Sequence, residues 1–404
     1  MRPEIRKAVC WIALSVIYWV APSKICVGRS LTWQDSTAKV IEIRIDPFTA
    51  VGGLSSDLFD SIRYVPLETN QQSAFSTITQ LEVTDKYYVV LDARLNTIFF
   101  FNHNGKFSHK IDKNNENAPF RSLLRFSLDR TKNILEFQDS QTPYTYTFKV
   151  SGDFVNVGKE ASFQDFALFN GFKVRYGIND KSDSSHFASI HRYNATTDQL
   201  LGSYLPVDTV RKNVTQLLSG STRNFYQSDA RSILFTHSYD YNIYALDAQA
   251  VPHARYRMIL PLQNSIPADF LTNPKYYGKW NDISRADRKL IYSINNIYVS
   301  GDWLTFYTSP SIKRSAFLYN LATQELFNLN ETKDSDLGLS ITQTSSAVLG
   351  IVKGALISDI SFVSLKKLYE EMPKSKKESL PQHLRELIRK ASHNPILRLS
   401  HLKK

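Results

Sequence analysis

The chain of 404 residues is poor in several residue types, and each shortage excludes a class of protein. Its two cysteines, Cys10 and Cys26, both lie near the N-terminus. Disulfides, thiolate metal sites and cysteine nucleophiles are therefore excluded from the rest of the chain. With 15 glycines and 15 prolines, the sequence is neither collagen-like nor of low complexity. Its 42% hydrophobic content is enough to bury a large core.

Net charge is missing from the body of the chain, although the whole sequence carries a formal +11. Residues 1–29 contribute +4 and residues 365–404 contribute +7. Residues 30–364 hold 33 charges of each sign and are neutral. A basic surface spread over the body, which nucleic-acid binding would require, is thereby excluded. We expect no nucleic-acid partner.

Residues 1–28 have the pattern of a secretory signal peptide. Basic residues up to Lys7 precede an apolar run from Ala8 to Ala21, which is short for a bilayer-spanning helix of about 20 residues. We predict cleavage near Gly28, export to the periplasm or cell surface, and a linker over 29–39. A retained signal anchor is one alternative. A lipoprotein attached at Cys26 is another, disfavoured because the residue before this cysteine is not small.

One unit recurs five times between the ends. It is an apolar strand, a polar loop, a second strand ending in Asn or Asp, a tight turn and a third strand. The clearest copy contains Tyr87–Asp92, Thr97–Asn102, an Asn-Gly turn and Lys106–Ile111. The other copies cover 133–153, 187–205, 232–260 and 303–329. The spacing of about 45–55 residues is the length of a four-stranded propeller blade.

The repeat predicts an all-β, six-bladed β-propeller over residues 40–404. The innermost strand of each repeated blade is expected just upstream, at 78–83, 123–128, 163–169, 224–228 and 294–300. The sixth blade is expected to use Leu339–Ala347, Val348–Ile351 and Ala355–Ser358. A propeller closes on itself to remove its sheet edges, and Val40–Ile45 and Ile396–Leu399 are the expected closing strands. A pair of irregular β-sandwiches is the alternative.

Residues 365–393 are predicted to form a basic helical segment before a closing strand at 394–402. Ser364–Met372 and Ser379–Ala391 have helical patterns, with Pro373–Lys377 as a spacer. In the second helix Ser379 is the expected N-cap, and Leu384, Leu387 and Ile388 share one face. The basic side chains form either a solvated face or a contact with an anionic envelope surface.

Four segments resemble a known family. They are Ile62–Thr69 (IRYVPLET), Phe101–Phe107 (FNHNGKF), Asn242–Asp247 (NIYALD) and Asn394–Leu397 (NPIL), the last with Leu402 and Lys403. They are similar to signatures of the six-bladed β-propeller family of secreted and surface proteins of Bacteroidota. The resemblance spans about residues 40–404 and implies the fold and an extracytoplasmic compartment. In place of that family's Gly-Pro-Gly-Glu type loop, this chain has Asn114–Pro119, so no ligand contact is carried over.

Motifs for metal, nucleotide and hydrolase sites are absent, and the nine histidines are scattered. We predict no metal and no cofactor, and the sequence assigns no catalytic residue. In a propeller, the loops between second and third strands share one end of the channel, which is the default binding site. Candidate ligand-binding residues in these loops are Arg94, Tyr239, Asp240 and Lys313.

A long insertion precedes the fifth copy, at about residues 261–296. It contains Tyr276, Tyr277, Trp280 and Arg285, and insertions of this length are often functional. Aromatic side chains among charges suit stacking on sugar rings or packing against a protein. A lid that packs on the next blade is the alternative.

These observations favour an exported, non-enzymatic propeller that binds a glycan, peptide or envelope-protein partner at one mouth of its channel. The alternative is an extracytoplasmic hydrolase or lyase that uses acids and histidines at the same mouth. A structural subunit of an envelope assembly is a third hypothesis, which predicts a flat apolar outer face.

Overall fold

The computed structural model describes residues 39–177, 188–206, 223–229, 232–270, 273–276, 289–309, 315–335, 345–389 and 393–403. Its strands form six antiparallel sheets of four strands, one of which gains a fifth, parallel strand. Neighbouring sheets contact each other through their first strands, which places these strands around a central channel. The prediction of an all-β, six-bladed propeller is confirmed.

The N-terminal elements are β1 (Ile41–Arg44), the one-turn helix α1 (Ser55–Leu58) and β2 (Phe59–Pro66). Blades 1 and 2 contain β3 (Gln80–Val83), β4 (Tyr87–Asp92), β5 (Thr97–Asn102), β6 (Phe107–Ile111), β7 (Ser127–Asp129), β8 (Ile134–Gln138), β9 (Tyr144–Lys149) and β10 (Phe154–Lys159). Blade 3 contains β11 (Asp165–Phe169), β12 (Phe172–Tyr176), β13 (Ala188–Asn194) and β14 (Leu200–Pro206).

Blade 4 contains β15 (Phe225–Asp229), β16 (Ser232–Phe235), β17 (Asn242–Leu246) and β18 (Pro252–Ile259). Two 3₁₀ turns follow it, Leu262–Asn264 and Pro274–Tyr276. Blade 5 contains β19 (Ser293–Ser300), β20 (Trp303–Ser309), β21 (Ser315–Asn320) and β22 (Leu326–Asn328). Blade 6 contains β23 (Ser345–Val352), β24 (Ala355–Ile360), β25 (Ile396–Leu402) and β2. Between β24 and β25 lie α2 (Phe362–Glu371), α3 (Lys374–Ser379) and α4 (Gln382–Arg389).

The middle strands of a blade have continuous apolar runs because neighbouring blades cover both of their faces. In β4 and β5 nearly every side chain is buried. The turn that follows β5 is made locally, since the Asn102 side chain accepts hydrogen bonds from the amides of Asn104 and Lys106. Gly105 in this turn has a φ of 79°, which an L side chain adopts only under strain.

The strand that closes the ring differs from the sequence-based prediction. Val40–Ile45 was expected to close it, but β1 pairs in parallel with β18, on the outer edge of blade 4. The chain then bridges to the edge of blade 5 at Val51 and Leu54. Only β2 reaches blade 6, where it pairs with β25. Residues 41–66 therefore cover the outer edges of three consecutive blades, which removes exposed strand edges.

Three of the four family-like segments, all except Asn242–Asp247, contact one another at this closure. We call the group of residues that joins them the clasp (Glu68, Thr69, Ser73, Phe75 and Asn394). The Asn394 amide nitrogen donates to the carbonyls of Glu68 (2.7 Å) and Ser73 (2.8 Å). Its side-chain oxygen accepts from the Phe75 amide at 2.9 Å. Glu68 also accepts from the backbone amide of Phe107 in blade 1. The matched motifs thus stabilise the junction between blade 6 and blade 1.

Four other local features differ from the sequence-based prediction. Strand β12 was missed because it carries Lys173 and Arg175, yet both are buried. Lys173 lies between Glu136 (2.5 Å) and Glu160 (2.6 Å), and Arg175 also pairs with Glu160 (2.8 Å). Glu136 and Glu160 come from blade 2 or the connection after it, so Lys173 is compensated only once the two blades pack together, whereas Arg175 also pairs with Asp198 of its own blade at 2.5 Å.

In blade 6, β23 continues through position 347, where the sequence suggested a break, and shifts of register with β24 accommodate the extra residues. The expected first part of this strand, 339–344, lies outside the described residues. The expected spacer Pro373–Lys377 is largely α3. Helix α4 begins at Gln382 rather than after an N-cap at Ser379, although Leu384, Leu387 and Ile388 are buried as predicted.

Candidate functional site

The connections between the second and third strands of each blade emerge at one end of the propeller, which we call the mouth. Because adjacent strands are antiparallel, the connections between successive blades emerge at this same end. The mouth therefore includes the loops after β4 and β16, the segment between β18 and β19, and the helical insertion between β24 and β25. The four proposed residues that the structure describes, Arg94, Tyr239, Asp240 and Tyr276, belong to such connections.

Arg94 lies in the loop after β4 and has an exposed side chain. Its backbone amide donates to the Asp92 carboxylate at 2.9 Å, which shapes the turn. Blade 1 is opposite blade 4 in a ring of six, so Arg94 and Tyr239 lie on opposite sides of the mouth. The structure does not bring these two predicted site residues together.

Tyr239 is buried and lies at the centre of an aromatic stack. Its ring packs against Phe270 at a centroid distance of 5.4 Å and against Tyr292 at 5.9 Å. Its amide donates to the Tyr292 carbonyl at 2.7 Å, and its φ of 66° is unusual for a bulky residue. Burial raises the pKa of its hydroxyl. Tyr239 thus supports the mouth from beneath.

Asp240 is engaged within its own loop. Its carboxylate accepts hydrogen bonds from the Tyr244 hydroxyl at 2.7 Å and the Asn242 amide at 2.9 Å, and it lies 3.1 Å from His237 Nε2. Burial alone would raise the pKa of Asp240, but these interactions lower it to about 2. The residue is therefore a half-buried anion that stabilises the loop.

Tyr276 joins the same aromatic stack from the insertion. Its ring lies 5.3 Å from that of Phe270, and the Lys275 ammonium lies 4.5 Å from the Tyr276 ring centroid. Tyr239, Phe270, Tyr276 and Tyr292 together form what we call the aromatic rim. Tyr276 and Tyr292 are half-buried, whereas Tyr239 and Phe270 are buried. The structure thus brings together two predicted residues and adds two that sequence reasoning missed.

Tyr277, Trp280, Arg285 and Lys313 lie outside the described residues. Their assignment to the site stays a prediction. Phe270 and Tyr292 flank the predicted aromatic group within the same insertion, so a search for every aromatic side chain between β18 and β19 would have found them.

A small cavity of about 20 Å³, enough for a water molecule or two, lies in the channel, and we call it the channel pocket. Its polar lining comes from Gln80, Glu82, Arg125, Ser127, Asp165, Arg223 and Gln227, contributed by blades 1 to 4. Most of these residues lie at or just before the start of an innermost strand, which is the end nearest the mouth. Sequence reasoning examined the loops and therefore missed them.

Glu82 connects opposite sides of the channel. It lies 3.1 Å from Arg130 of blade 2 and forms an ion pair with Arg223, just before β15 of blade 4. Burial opposes the charge on Arg223, but the neighbouring Glu82 raises the pKa of the guanidinium above its ordinary value. One carboxylate is therefore shared by two arginines and ties blades 1, 2 and 4 together.

Asp165 is satisfied mainly by the backbone. It accepts from the amides of Asn224 (2.5 Å), Phe225 (3.1 Å) and Phe166 (2.9 Å). Arg125 approaches this carboxylate only to 3.7 Å, and its side chain is 25% exposed. Among the described ion pairs of the pocket, the one between Arg125 and Asp165 thus has the longest distance.

Gln80 and Gln227 have different surroundings in the pocket. The Gln80 amide exchanges two hydrogen bonds with the backbone of Phe126, at 2.8 and 3.1 Å. Gln227 is 9% exposed, and its side chain makes no hydrogen bond to the residues that the structure describes. The pocket therefore presents one arginine and one amide to its open space. Within the described ranges, no group of three or more metal-ligating side chains occurs.

Residues 44–400 match the family model described as a domain of unknown function, DUF4934. The chain belongs to this family. The fold is similar to that of a Bacteroides fragilis protein assigned as exported, with a TM-score of 0.71 and 14% identity over 91% of this chain and 100% of the other. A DUF4221 family member from Bacteroides vulgatus has a TM-score of 0.43 and 8% identity over 86% and 97% of the two chains.

A search of the curated proteins finds no significant match to this chain. Within the part of the chain that the structure describes, no helix is long and apolar enough to cross a membrane.

Proposed function

We propose that this protein is an exported, non-enzymatic β-propeller that binds a glycan, peptide or protein partner at its mouth. The observation that carries the proposal is the aromatic rim. Two half-buried tyrosines, Tyr276 and Tyr292, are supported by the buried rings of Tyr239 and Phe270. Tyrosines held in this way offer apolar contact area at little cost in conformational entropy.

The charges in the channel pocket support binding over the alternative of a hydrolase or lyase. Acid–base catalysis uses a carboxyl group whose pKa is adjusted to the reaction and which can reach the substrate. Glu82 is shared between two arginines, and Asp165 is occupied by three backbone amides. Both acids are therefore engaged in holding blades together, which favours a structural role over a catalytic one.

Export is the second part of the proposal, and it is supported by the signal-like N-terminal sequence and by the likeness of the fold to an exported Bacteroides protein. Fractionation of cells that express the full chain with a C-terminal tag tests it. The tagged protein is expected in the periplasmic or outer-membrane fraction, and protease treatment of intact cells distinguishes these locations. Recovery in the cytoplasmic fraction would contradict export.

Binding is tested with Tyr276→Ala on glycan and protein arrays. We expect the affinity for a bound partner to fall at least about tenfold, since a tyrosine in an interface often contributes this much. Tyr276→Phe, which keeps the ring, should bind almost as the wild type does.

Tyr144→Ala is the matched control, because Tyr144 is an exposed tyrosine at the start of β9, near the same mouth but in blade 2. Its binding should be unchanged. Equal affinity of Tyr276→Ala and the wild type would remove the aromatic rim as the binding site. Release of new reducing ends or peptide fragments from a bound partner would favour the enzyme alternative.

The helical insertion supplies an electrostatic part of the proposal. Residues 362–389 carry seven basic and four acidic side chains, and the insertion lies at the mouth. We propose that it attracts an anionic partner or envelope surface. Binding should then weaken as salt rises, because the interactions of exposed charges are screened.

A further inference from the structure

The mouth carries exposed apolar side chains that the opposite end of the propeller lacks. They are Leu95, Leu124, Leu262 and Val363, and each lies in a connection that emerges at the mouth. Loops at the opposite end join first to second strands and third to fourth strands. Among the described residues, these loops carry no exposed large apolar side chain. Exposed apolar surface on one end marks that end as an interaction surface.

Leu262 projects from a turn between blades 4 and 5 that hydrogen bonds hold in place. Its side chain is 89% exposed, although it begins a 3₁₀ turn. The Asn264 amide donates to the Pro261 carbonyl at 2.9 Å, and the buried Asn264 side chain donates to the Lys289 carbonyl at 3.3 Å. Transfer of a leucine held outward in this way from water into an apolar phase is favourable.

Leu95 and Leu124 form a second apolar point, in blade 1 and its connection to blade 2. The Asn96 side chain accepts a hydrogen bond from the Leu123 amide at 2.9 Å, so Leu95 and Leu124, which adjoin these two residues, lie in the same part of the mouth. Arg94 is exposed beside Leu95, and it forms no ion pair with a described carboxylate. Its guanidinium therefore faces solvent next to an apolar point.

Val363, in the first turn of α2, is the third apolar point. Its neighbours Phe362 and Leu365 are buried, which turns Val363 outward and leaves it 68% exposed. Lys366 and Lys367 follow it by three and four residues, so they lie on the same face of the helix, and both are exposed. An apolar side chain is again accompanied by positive charge.

The three points surround the mouth. Blade 1 is opposite blade 4 in a ring of six, and α2 belongs to blade 6. A sugar or short peptide at the mouth reaches one or two of these points, whereas a broad, flat surface reaches all three. A lipid bilayer is such a surface. Apolar side chains that enter the lipid, with Lys and Arg at the level of anionic headgroups, are typical of proteins that bind a membrane surface.

We propose that the mouth docks on an anionic phospholipid bilayer, into which Leu262, Val363 and the pair Leu95 and Leu124 insert. The inference rests on the electrostatic part of the proposed function, because it identifies the envelope surface that the basic helical insertion attracts. A partner bound by the aromatic rim is then one presented at the membrane surface.

Co-sedimentation of the mature protein with vesicles tests this docking. Vesicles of phosphatidylethanolamine and phosphatidylglycerol in equal amounts should bind it at least about tenfold more tightly than vesicles of phosphatidylcholine. Leu262→Ser should weaken binding to the anionic vesicles about tenfold, because one leucine no longer enters the lipid. The double variant Lys366→Gln with Lys367→Gln should also weaken it about tenfold, and added salt should have the same effect.

Matched control variants lie away from the mouth. Leu200→Ser removes an exposed leucine from β14, on the outer edge of blade 3. Lys132→Gln with Lys353→Gln removes two exposed lysines from loops of the opposite end. Both controls should bind the anionic vesicles as the wild type does. Circular dichroism and the melting temperature of each variant show that the fold is retained.

Fluorescent labels distinguish a flat contact from a local one. Both cysteines of the chain lie in the predicted signal peptide, so a single cysteine can be introduced into the mature protein. Leu262→Cys and Leu124→Cys, each labelled with an environment-sensitive dye, should both brighten on the anionic vesicles. Leu200→Cys should not change. Brightening on only one side of the mouth would overturn the proposal of a flat docking surface.

The remaining outcomes separate lipid from other partners. No binding of the wild type to the anionic vesicles, equal binding to both vesicle types, or unchanged binding by Leu262→Ser or by the double lysine variant would overturn the proposal. If the dyes respond to native envelope vesicles only before protease treatment, and never to pure lipid, the partner is a membrane protein and the lipid assignment is wrong. The arrays contain no bilayer, so a partner captured there through Tyr276 without any vesicle binding refutes this inference alone and leaves the aromatic rim as a binding site.

Discussion

Replacement of Asn394 by alanine should show how strongly the clasp closes the ring. The side chain of Asn394 is fully buried and makes three hydrogen bonds, two as a donor and one as an acceptor. Each such bond contributes about 1 kcal/mol to stability. In the alanine variant the Phe75 amide and the Ser73 carbonyl lose this buried partner, whereas the Glu68 carbonyl keeps the hydroxyl of Ser73.

We therefore expect Asn394→Ala to lower the free energy of unfolding by about 3 kcal/mol. With an unfolding entropy of about 2.1 cal/mol/K per residue over roughly 360 residues, this corresponds to a fall in Tm of about 4 °C. Differential scanning calorimetry and urea unfolding measure both quantities. Asn114→Ala, at an exposed asparagine in blade 1's connection to blade 2, is the control and should change stability by less than about 0.5 kcal/mol.

Asn394→Asp separates hydrogen-bond donation from packing, because it keeps the size of the side chain. An ionised carboxylate would face the carbonyls of Glu68 and Ser73, so at pH 7 this variant should be less stable than Asn394→Ala. Its deficit should shrink on acidification, since the protonated acid can donate one hydrogen bond. A loss below about 1 kcal/mol for Asn394→Ala, or an aspartate better tolerated than alanine at pH 7, would refute the role assigned to the clasp.

Two further predictions concern the turn after β5 and the stability of the fold at acidic pH. Gly105→Ala should lower the free energy of unfolding in urea by more than about 2 kcal/mol, because φ is positive there and the new Cβ would overlap the Pro66 carbonyl. Gly354→Ala is the control, since this glycine also has a positive φ but faces open space, and it should cost less. Equal losses in the two variants would contradict the prediction. The pKa of Asp240 is about 2 in the fold, against an ordinary value of 3.8. Its ionised carboxylate therefore stabilises the fold by about 2 kcal/mol above about pH 4. This stabilisation is lost as the pH falls towards 2. The stability gap between the wild type and Asp240→Asn should therefore narrow over this range in urea titrations, and a constant gap would show that the low pKa is wrong.

The repeat could be predicted from the sequence because the patterns that specify its strands and turns are local. Apolar runs such as β4 and β5, followed by the Asn104-Gly105 turn, specify strands and hairpins through hydrogen bonds within a few residues. Four of the five predicted innermost strands overlap β3, β11, β15 and β19 over most of their length. Only β7 is displaced, to Ser127–Asp129, towards the end of the predicted segment.

The candidate site was only partly readable. Tyr239 and Tyr276 were selected as aromatic residues in connections at one mouth, and they share a stack through Phe270. Nothing in the local sequence shows that Tyr239 is buried, or that Asp240 is occupied by His237 and its own loop. Arg125 and Gln227 were overlooked because the first lies just before β7, the second lies within β15, and they belong to two different blades.

By itself, the sequence determined the number and order of the blades and the absence of net charge from residues 30–364. Each of these follows from composition or from patterns of a few residues. The tertiary structure alone decided that β2 rather than β1 closes the ring, that the charges of β12 are buried and paired, and that a polar pocket forms inside the channel. The physical reason is distance along the chain. Glu82 and Arg223 are 141 residues apart in sequence, so their contact exists only once the ring has closed.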